Sequence, residues 1–389
     1  MLPTSTDVLV VGAGPTGLTV ALALGGRGVR VAVVDRLDRP LTTSRAAVVH
    51  AYTLEMLDRI GAGAPLVARG LRSRGFTVRD RDRALLAVPF DSLPSRHAYA
   101  LMISQSVTEE VLAGQLAALG VPVLRPYEMV GLTQDATGVV ATFADGATVR
   151  ARYLVGADGM HSAVRERAGI GFSGPAGGES FALADVRVES ALPRDRVSFF
   201  LARSGPLVWA PLPDGIVRLV AAVPEAPVTP DRAYFQALLD ERGPVRRPDR
   251  LVEVLWGSRF RIHHRVADTF RSGRVLLAGD AGHVHSPAGG QGMNLGIVDA
   301  VDVGDTLADV LAGAPEGLLD GYAARRRPMA EEVVAFAARL TRLATLPPAA
   351  RAPRNLLIRL ANAVPPARHG LAMRLSGLNR REGNAGASS

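Results

Sequence analysis

Between Arg274 and Asn294 the chain reads RVLLAGDAGHVHSPAGGQGMN. An apolar run stops on Gly279 and a carboxylate, Asp280. Two histidines follow, His283 and His285, then Pro287 and three glycines, Gly289, Gly290 and Gly292. These residue types admit three uses. The histidines and Asp280 could hold a metal, the bare backbone before a helix could cradle a phosphate or a flat ring, or the loop could simply turn. Metal is the weakest of these, because no nearby carboxylate pair completes a ligand set at a convincing spacing.

A second glycine cluster lies at the other end of the chain. Gly12-Ala13-Gly14-Pro15-Thr16-Gly17 follows the apolar run Asp7 to Val11 and opens a stretch of helical spacing, Pro15 to Arg27. Gly12 permits a tight turn, Gly14 lets backbone approach a pyrophosphate, and Gly17 lets the helix pack on the strand. The helix N-terminus adds about half a positive charge and free N–H groups. A second apolar strand, Val29 to Asp35, ends on an acid 18 residues past Gly17, followed by Arg36. Asp35 can accept the ribose hydroxyls of an adenosine, and it repels a 2′-phosphate, so FAD or NAD is expected there rather than NADP. A third stretch, YLVGADGMHSAVRERAG from 153 to 169, ends a strand at Asp158-Gly159 and begins a helix bearing Arg165. Alone it is a turn and a surface arginine.

The elements that must position these residues follow from periodicity. The N-terminus is a βαβ unit with strands buried on both faces. Helical segments are expected at Thr53–Ile60 and Val107–Leu119, with an irregular, turn-rich stretch from Gly75 to Ile103 between them. A hairpin turns at Asp145-Gly146. From Phe181 to Arg261 the pattern changes to period two, as in an antiparallel sheet, with one helix at Asp231–Glu241. Long helices are expected at Met293–Leu311 and Leu319–Ala344. The last 44 residues carry an amphipathic piece at Asn355–Val364 and a flexible tail. The expected fold is α/β: a Rossmann-like dinucleotide-binding domain (1–74, 104–180 and 262–345), interrupted by a mostly antiparallel β-sheet domain (75–103 and 181–261), with C-terminal helices.

GAGPTG, DGMHSAVR and GDAGHVHSPAGGQGMN, in this order and spacing, closely resemble the three fingerprints of single-component flavoprotein aromatic hydroxylases. That family is typified by para-hydroxybenzoate hydroxylase and includes phenol and polyketide hydroxylases. The resemblance implies FAD on Gly12, Gly14, Pro15, Thr16, Gly17, Asp35 and Arg36, with Arg45 on the phosphates and Gln105 beside the flavin. Asp158 and Arg165 are implied in FAD and nicotinamide handling. Asp280 resembles the carboxylate that holds the ribityl hydroxyls. Gly290, Gly292, Met293 and Asn294 bring backbone and a helix N-terminus to the ring, and Pro287 stiffens the loop over its reactive face. NADPH or NADH would dock transiently, since there is no second GxGxxG. Oxygen would add at flavin C4a and pass to a small aromatic substrate, with the protein supplying a dry pocket. Phe181, Phe199, Trp209 and Phe90 are candidate pocket walls, and a phenol-activating base is sought among His97, Arg96 and Tyr99. Epoxidation, Baeyer–Villiger insertion and non-turnover flavin binding are the alternatives. The larger phenol hydroxylases carry a thioredoxin-like C-terminal domain, for which 44 residues are too few.

Composition narrows the field. The chain has 389 residues, no cysteine, and 45 Lys+Arg that are all arginine, for a net charge of +8. Thiolate chemistry, Schiff-base lysines and the lysine-dependent flavin halogenases are thereby excluded. The arginines are dispersed and aromatics are only 5%, so no nucleic-acid stripe is expected. No signal peptide or membrane span is read, and a cytoplasmic monomer or homodimer is the expectation.

Overall fold

The computed structural model describes residues 1–40 and 46–381, with the side chains of 176–179 and 348 left aside. Arg45 and the tail expected to be flexible from 382 onward lie outside the described residues. In chain order the main elements are β1 (Ser5–Val11), α1 (Pro15–Gly25), β2 (Val31–Val34), α2 (Ala51–Arg59), α3 (Gly63–Arg69), β3 (Gly75–Asp80), β4 (Arg83–Pro89), α4 (Gln105–Ala118) and β5 (Val123–Leu124). A hairpin of β6 (Met129–Gln134) and β7 (Val139–Phe143) leads to β8 (Thr148–Gly156) and α5 (Ala163–Arg167). Then come β9 (Ala176–Glu189), β10 (Val197–Ala202), β11 (Gly205–Pro211), β12 (Ile216–Val223), α6 (Arg232–Arg242), β13 (Arg250–His263) and β14 (Val275–Leu277). The chain finishes with α7 (Gly292–Leu311), α8 (Gly317–Ala344), α9 (Pro348–Asn362) and α10 (Pro365–Ser376).

The continuous apolar runs become the centre of a parallel layer ordered β14-β8-β1-β2-β5. Val8, Leu9, Val10, Leu154, Val155 and Leu276 are fully buried, with α1 packed on β1 and β2 and α7 packed on α1. The period-two segments form a seven-stranded sheet ordered β13-β9-β12-β11-β10-β3-β4. The stretch expected to be irregular supplies two of these strands, β3 and β4. β3 joins β10 in parallel, the other pairings being antiparallel.

Alternation sorts the faces of this inserted sheet. Ala182, Ala184 and Val186 pack with Trp209, Leu219 and Phe235 against α6, so Phe181, Leu183 and Asp185 face the other way. On that other side Val78, Val88, Phe90, Leu201 and Ala210 join Tyr52 and Met56 of α2 and Val298 and Val301 of α7 in one apolar cluster. Ala372 and Leu375 of α10 complete it. Two helices, not the single piece expected, fill the C-terminal segment, each starting at a proline-led turn.

Candidate flavin-dinucleotide site

The first glycine turn separates glycines required by packing from one that is not. Gly12 holds φ at 103°, and a Cβ there would stand 2.3 Å from the Ala157 carbonyl oxygen. A Cβ on Gly17 would stand 1.9 Å from the Gly12 oxygen. At Gly14 a Cβ would meet no protein atom within 4 Å. None of the described residues requires bareness there, whereas a pyrophosphate against the backbone would. Gly14 is also the N-cap of α1, with Pro15 next and no side-chain cap, so first-turn N–H groups are left for a ligand. Thr16 packs beneath the third loop, beside Gly279 and Gly296.

Asp35 sits just past β2. Its Oδ2 accepts the Ala13 N–H at 2.7 Å, its Oδ1 accepts the Leu37 N–H at 2.9 Å, and Arg125 pairs with it at 3.0 Å. The carboxylate is thus fixed at the edge of the glycine turn with Arg36 exposed beside it. Arg125 was not anticipated. Gln105 begins α4, where its side chain donates to Glu109 at 2.8 Å and its N–H donates to the Ala46 carbonyl.

The third loop is the most heavily braced. Gly279–Ala281 forms a single 3-10 turn on which Asp280 is exposed. Beneath it Asp299 of α7 is fully buried. Its Oδ2 accepts from His283 Nε2 at 2.6 Å and from the Gly279 N–H at 3.2 Å, and its Oδ1 from Arg326 at 2.6 Å. Burial alone would raise this carboxyl, but the Arg326 charge and then His283 hold it below its ordinary value. Further along, Asn294 ties the loop to the first layer. Its Nδ2 donates to Val48 O at 2.9 Å and Gly290 O at 2.7 Å, and its Oδ1 accepts the His50 N–H at 2.7 Å. His50 Nε2 donates to Gly289 O at 2.8 Å, and burial lowers that imidazole to about 4. His285 donates to its neighbour's carbonyl, Ser286 O, at 2.6 Å and is likewise lowered to about 4 by burial. Pro287 O accepts the Gly290 N–H at 2.9 Å, and Pro287, Gly290, Gly292 and Met293 are half-buried around the start of α7. No side chain caps that helix.

The second motif departs from expectation. Asp158 turns inward, accepting Ser162 Oγ at 2.5 Å and the Val164 N–H at 3.1 Å, and burial raises its carboxyl. Arg165 is 5% exposed. It donates to Ala281 O and Met160 O, both at 2.9 Å, and stacks 3.8 Å over Phe172. These two build the scaffold: Asp158 caps α5, and Arg165 straps the second turn to the third.

Substrate-side expectations divide similarly. Phe181 stacks on Phe260 at 5.4 Å on the face away from α6. Phe199 and Phe90 belong to the cluster between the sheet and the parallel layer, Phe199 lying 6.0 Å from Phe76. Trp209 is corrected: it is fully buried on the opposite face against α6 and lines nothing. His97 bridges Asp58 at 2.6 Å and Tyr99 at 3.0 Å, and Arg96 also pairs with Asp58. Asp58 and Arg96 border an outer groove of about 650 Å³ with Glu55, Arg59 and Arg381, and no residue of the three loops lines it. A network missed in the sequence stands on the inner sheet face instead. Arg218, 2% exposed, grips Asp185 through two 2.7 Å bonds, Trp256 Nε1 donates to Asp185 at 2.8 Å, and Arg218 reaches across to Ala46 O at 2.7 Å. Its signal was an acid and an arginine in mid-strand, Asp185 and Arg218, which stand directly opposite in the β9–β12 register.

A glycine turn at which a Cβ on Gly14 would meet none of the described residues, an acid fixed beside it, and an exposed carboxylate on a braced loop stand at the ends of one parallel layer. Together they define a dinucleotide-binding α/β protein with a sheet inserted over the site. The chain belongs to the FAD-binding domain family, which matches residues 5–337. It is 41% identical over 371 residues to 6-methylpretetramide 4-monooxygenase of Streptomyces rimosus, covering 92% of this chain and 63% of that one. The solved anhydrotetracycline hydroxylase of S. rimosus has a TM-score of 0.80 at 37% identity, covering 96% of this chain and 76% of that one. The p-nitrophenol 4-monooxygenase of Pseudomonas putida DLL-E4 has a TM-score of 0.86 at 26% identity, covering 97% and 100%. The chain therefore spans under two thirds of the first relative but the full length of the last. The expected resemblance to flavoprotein aromatic hydroxylases, and FAD as the family cofactor, are borne out.

Proposed function

We propose that this protein is an FAD-dependent monooxygenase that uses NADPH or NADH and O2 to hydroxylate a small phenolic or polyketide-like aromatic. The observation that carries this is the pairing of Gly14, bare without any packing reason, with the exposed Asp280 on a loop braced from below. Similarity to monooxygenases of phenols and tetracycline precursors supports the aromatic substrate. Bound FAD supplies hydride acceptance from the nicotinamide and oxygen activation.

The chain's own work is binding, orientation and exclusion of water. Gly14 and the first turn of α1 would take the pyrophosphate, Asp35 the adenosine ribose, Arg45 the phosphates, and Asp280 the ribityl hydroxyls. The start of α7 at Gly292–Asn294 offers uncapped N–H groups to a developing negative charge on the ring edge. Pro287 and Gly290 keep that loop stiff yet without bulk over the ring. The aromatic substrate would lie on the inner sheet face, near Phe181 and Phe199, with Trp209 excluded from that role. Asp185 and Arg218 neutralise each other there, so Arg218 acts as a positioning residue, tying the sheet to Ala46 beside Arg45. Because reduced nicotinamide is a cytoplasmic reductant, the reading carries a cytoplasmic enzyme with it, a monomer or homodimer.

The test is oxidation of NADH and NADPH by the FAD-loaded protein in air, with and without phenols and naphthoquinones. A compound that speeds oxidation several-fold, with matching oxygen uptake and an added hydroxyl by mass, supports the reading. Protein that cannot retain FAD at all would overturn it.

A further inference from the structure

Helix α9 is built inside out. Its inward face is largely polar, with Ile358 packed against the apolar cluster. Arg354, 3% exposed, donates to Ala344 O at 3.1 Å, Leu343 O at 3.2 Å and Leu201 O at 3.4 Å. Asn355 donates to Asp80 at 3.0 Å, and Asn362 accepts the Ala87 N–H at 3.0 Å. The outward face is leucine: Leu356, Leu357 and Leu360, with Val364 after them, are 55%, 65%, 57% and 47% exposed. Helical spacing sets the three leucines on one stripe, and Val364 lies beyond the helix end in the extended link to α10. A helix on a globular surface ordinarily turns such a stripe to the core, and here Arg354, Asn355 and Asn362 take hydrogen-bonded places on the core side beside Ile358.

Charge selects what covers the stripe. From Val333 to Arg381 the sequence holds no aspartate or glutamate and nine arginines, of which Arg354 is turned inward and Arg380 and Arg381 are engaged by Gln291 and Glu55. Arg359 is exposed at the edge of the leucines. A second copy docked α9 to α9 would set arginine against arginine, with no acid on either helix to relieve it. Among the described residues the stripe is also the outward side of a single helix, a convex surface rather than the recess that an anchoring side chain of a protein partner fills. A bilayer surface requires neither acid nor pocket: leucines enter the headgroup boundary while arginines meet anionic headgroups.

We propose that α9 docks the protein peripherally on anionic lipid surfaces. Because Asn362 grips β4 at Ala87, docking holds the inserted sheet beside the bilayer, where flat apolar compounds concentrate.

The test is flotation of the FAD-loaded protein with vesicles of phosphatidylglycerol or of phosphatidylcholine. Binding to the anionic vesicles at low salt is expected to exceed that to neutral ones by about tenfold and to be released by high salt. The exposed double substitution Leu357→Gln/Leu360→Gln should cut it by a further factor of about ten, with flavin absorbance and melting temperature unchanged. Absence of wild-type flotation would overturn the proposal. So would binding that salt abolishes but the leucine substitutions leave intact, which is mere charge attraction. A dimer in sedimentation velocity that the same substitutions dissolve would instead assign the stripe to a second copy, and would also overturn it.

Discussion

At the ends of the neighbouring parallel strands β8 and β14 stand two aspartates, Asp158 and Asp280, each beside a glycine and each followed by a loop into a helix. Asp158 is half-buried and takes its hydrogen bonds from Ser162 and Val164 of its own loop. Asp280 is exposed, and the bracing lies one layer down, where Asp299 holds Gly279, His283 and Arg326. One turn uses its carboxylate to fold itself. The other is folded by a different carboxylate, which leaves its own facing outward. In neighbouring motifs, then, one acid is half-buried in the bonding of its own turn, and the other stands exposed on a turn braced from the layer below.

The sharpest challenge is to remove the support. Asp299→Ala leaves Arg326 and His283 buried without their anion, and a loss of about 3–5 kcal/mol in urea unfolding is expected. A loss under about 1 kcal/mol would mean the third turn stands without its brace.

Acid should loosen the same loop. His50 has its imidazole lowered from 6.5 to about 4, so the folded state binds fewer protons than the unfolded chain between those values. Its stabilising contribution is full above pH 6.5 and is lost as pH falls toward about 4. The ceiling is roughly 3 kcal/mol. His50→Gln should flatten that part of the stability profile, and an unchanged slope would shift responsibility to His285.

Next come the two aspartates themselves. Asp280→Asn should weaken FAD binding by a factor of about 10–100, about 1.5–3 kcal/mol, while apoprotein stability stays within about 0.5 kcal/mol. Asp158→Asn should do the reverse, costing about 1 kcal/mol of stability through the damaged cap of α5, with FAD affinity of the folded protein little changed. Equal losses of FAD affinity in both variants would erase the contrast.

The smallest effect on stability is expected at Gly14. Gly14→Ala should leave apoprotein unfolding within about 0.5 kcal/mol, because the added methyl meets no protein atom, yet reduce flavin retention in a fluorescence titration. Retention unchanged by the methyl would deny that the pyrophosphate passes there.

The parts of this architecture that depend on nearest neighbours were legible. Apolar runs gave the parallel strands, and glycines at fixed spacing gave the anion turn and the third loop, because chain geometry alone demands them. What depends on distant partners was not legible. Asp158 and Asp280 look alike until Ser162 and Asp299 are placed around them. Period two located the inserted strands, but it could not say which parity faces α6, so Trp209 was put on the wrong side. Arg218 makes its decisive bond 172 residues away, at Ala46. Arg354 and its leucine neighbours formed a visible amphipathic pattern, but nothing local indicated that the leucines would point outward.

The close seating of α1 on α7 has a consequence for synthesis. A Cβ on Gly304 would lie 2.5 Å from that of Ala23, so the two helices meet almost backbone to backbone. The ribosome delivers Gly304 281 residues after Ala23 (304 − 23). Until α7 emerges, α1 holds an uncovered apolar flank, and β8 lacks its neighbour β14. The nascent N-terminal half therefore cannot complete its fold as it appears, and the dinucleotide layer is sealed only once α7 has been made. Truncated products should accordingly be aggregation-prone chaperone clients rather than small stable domains.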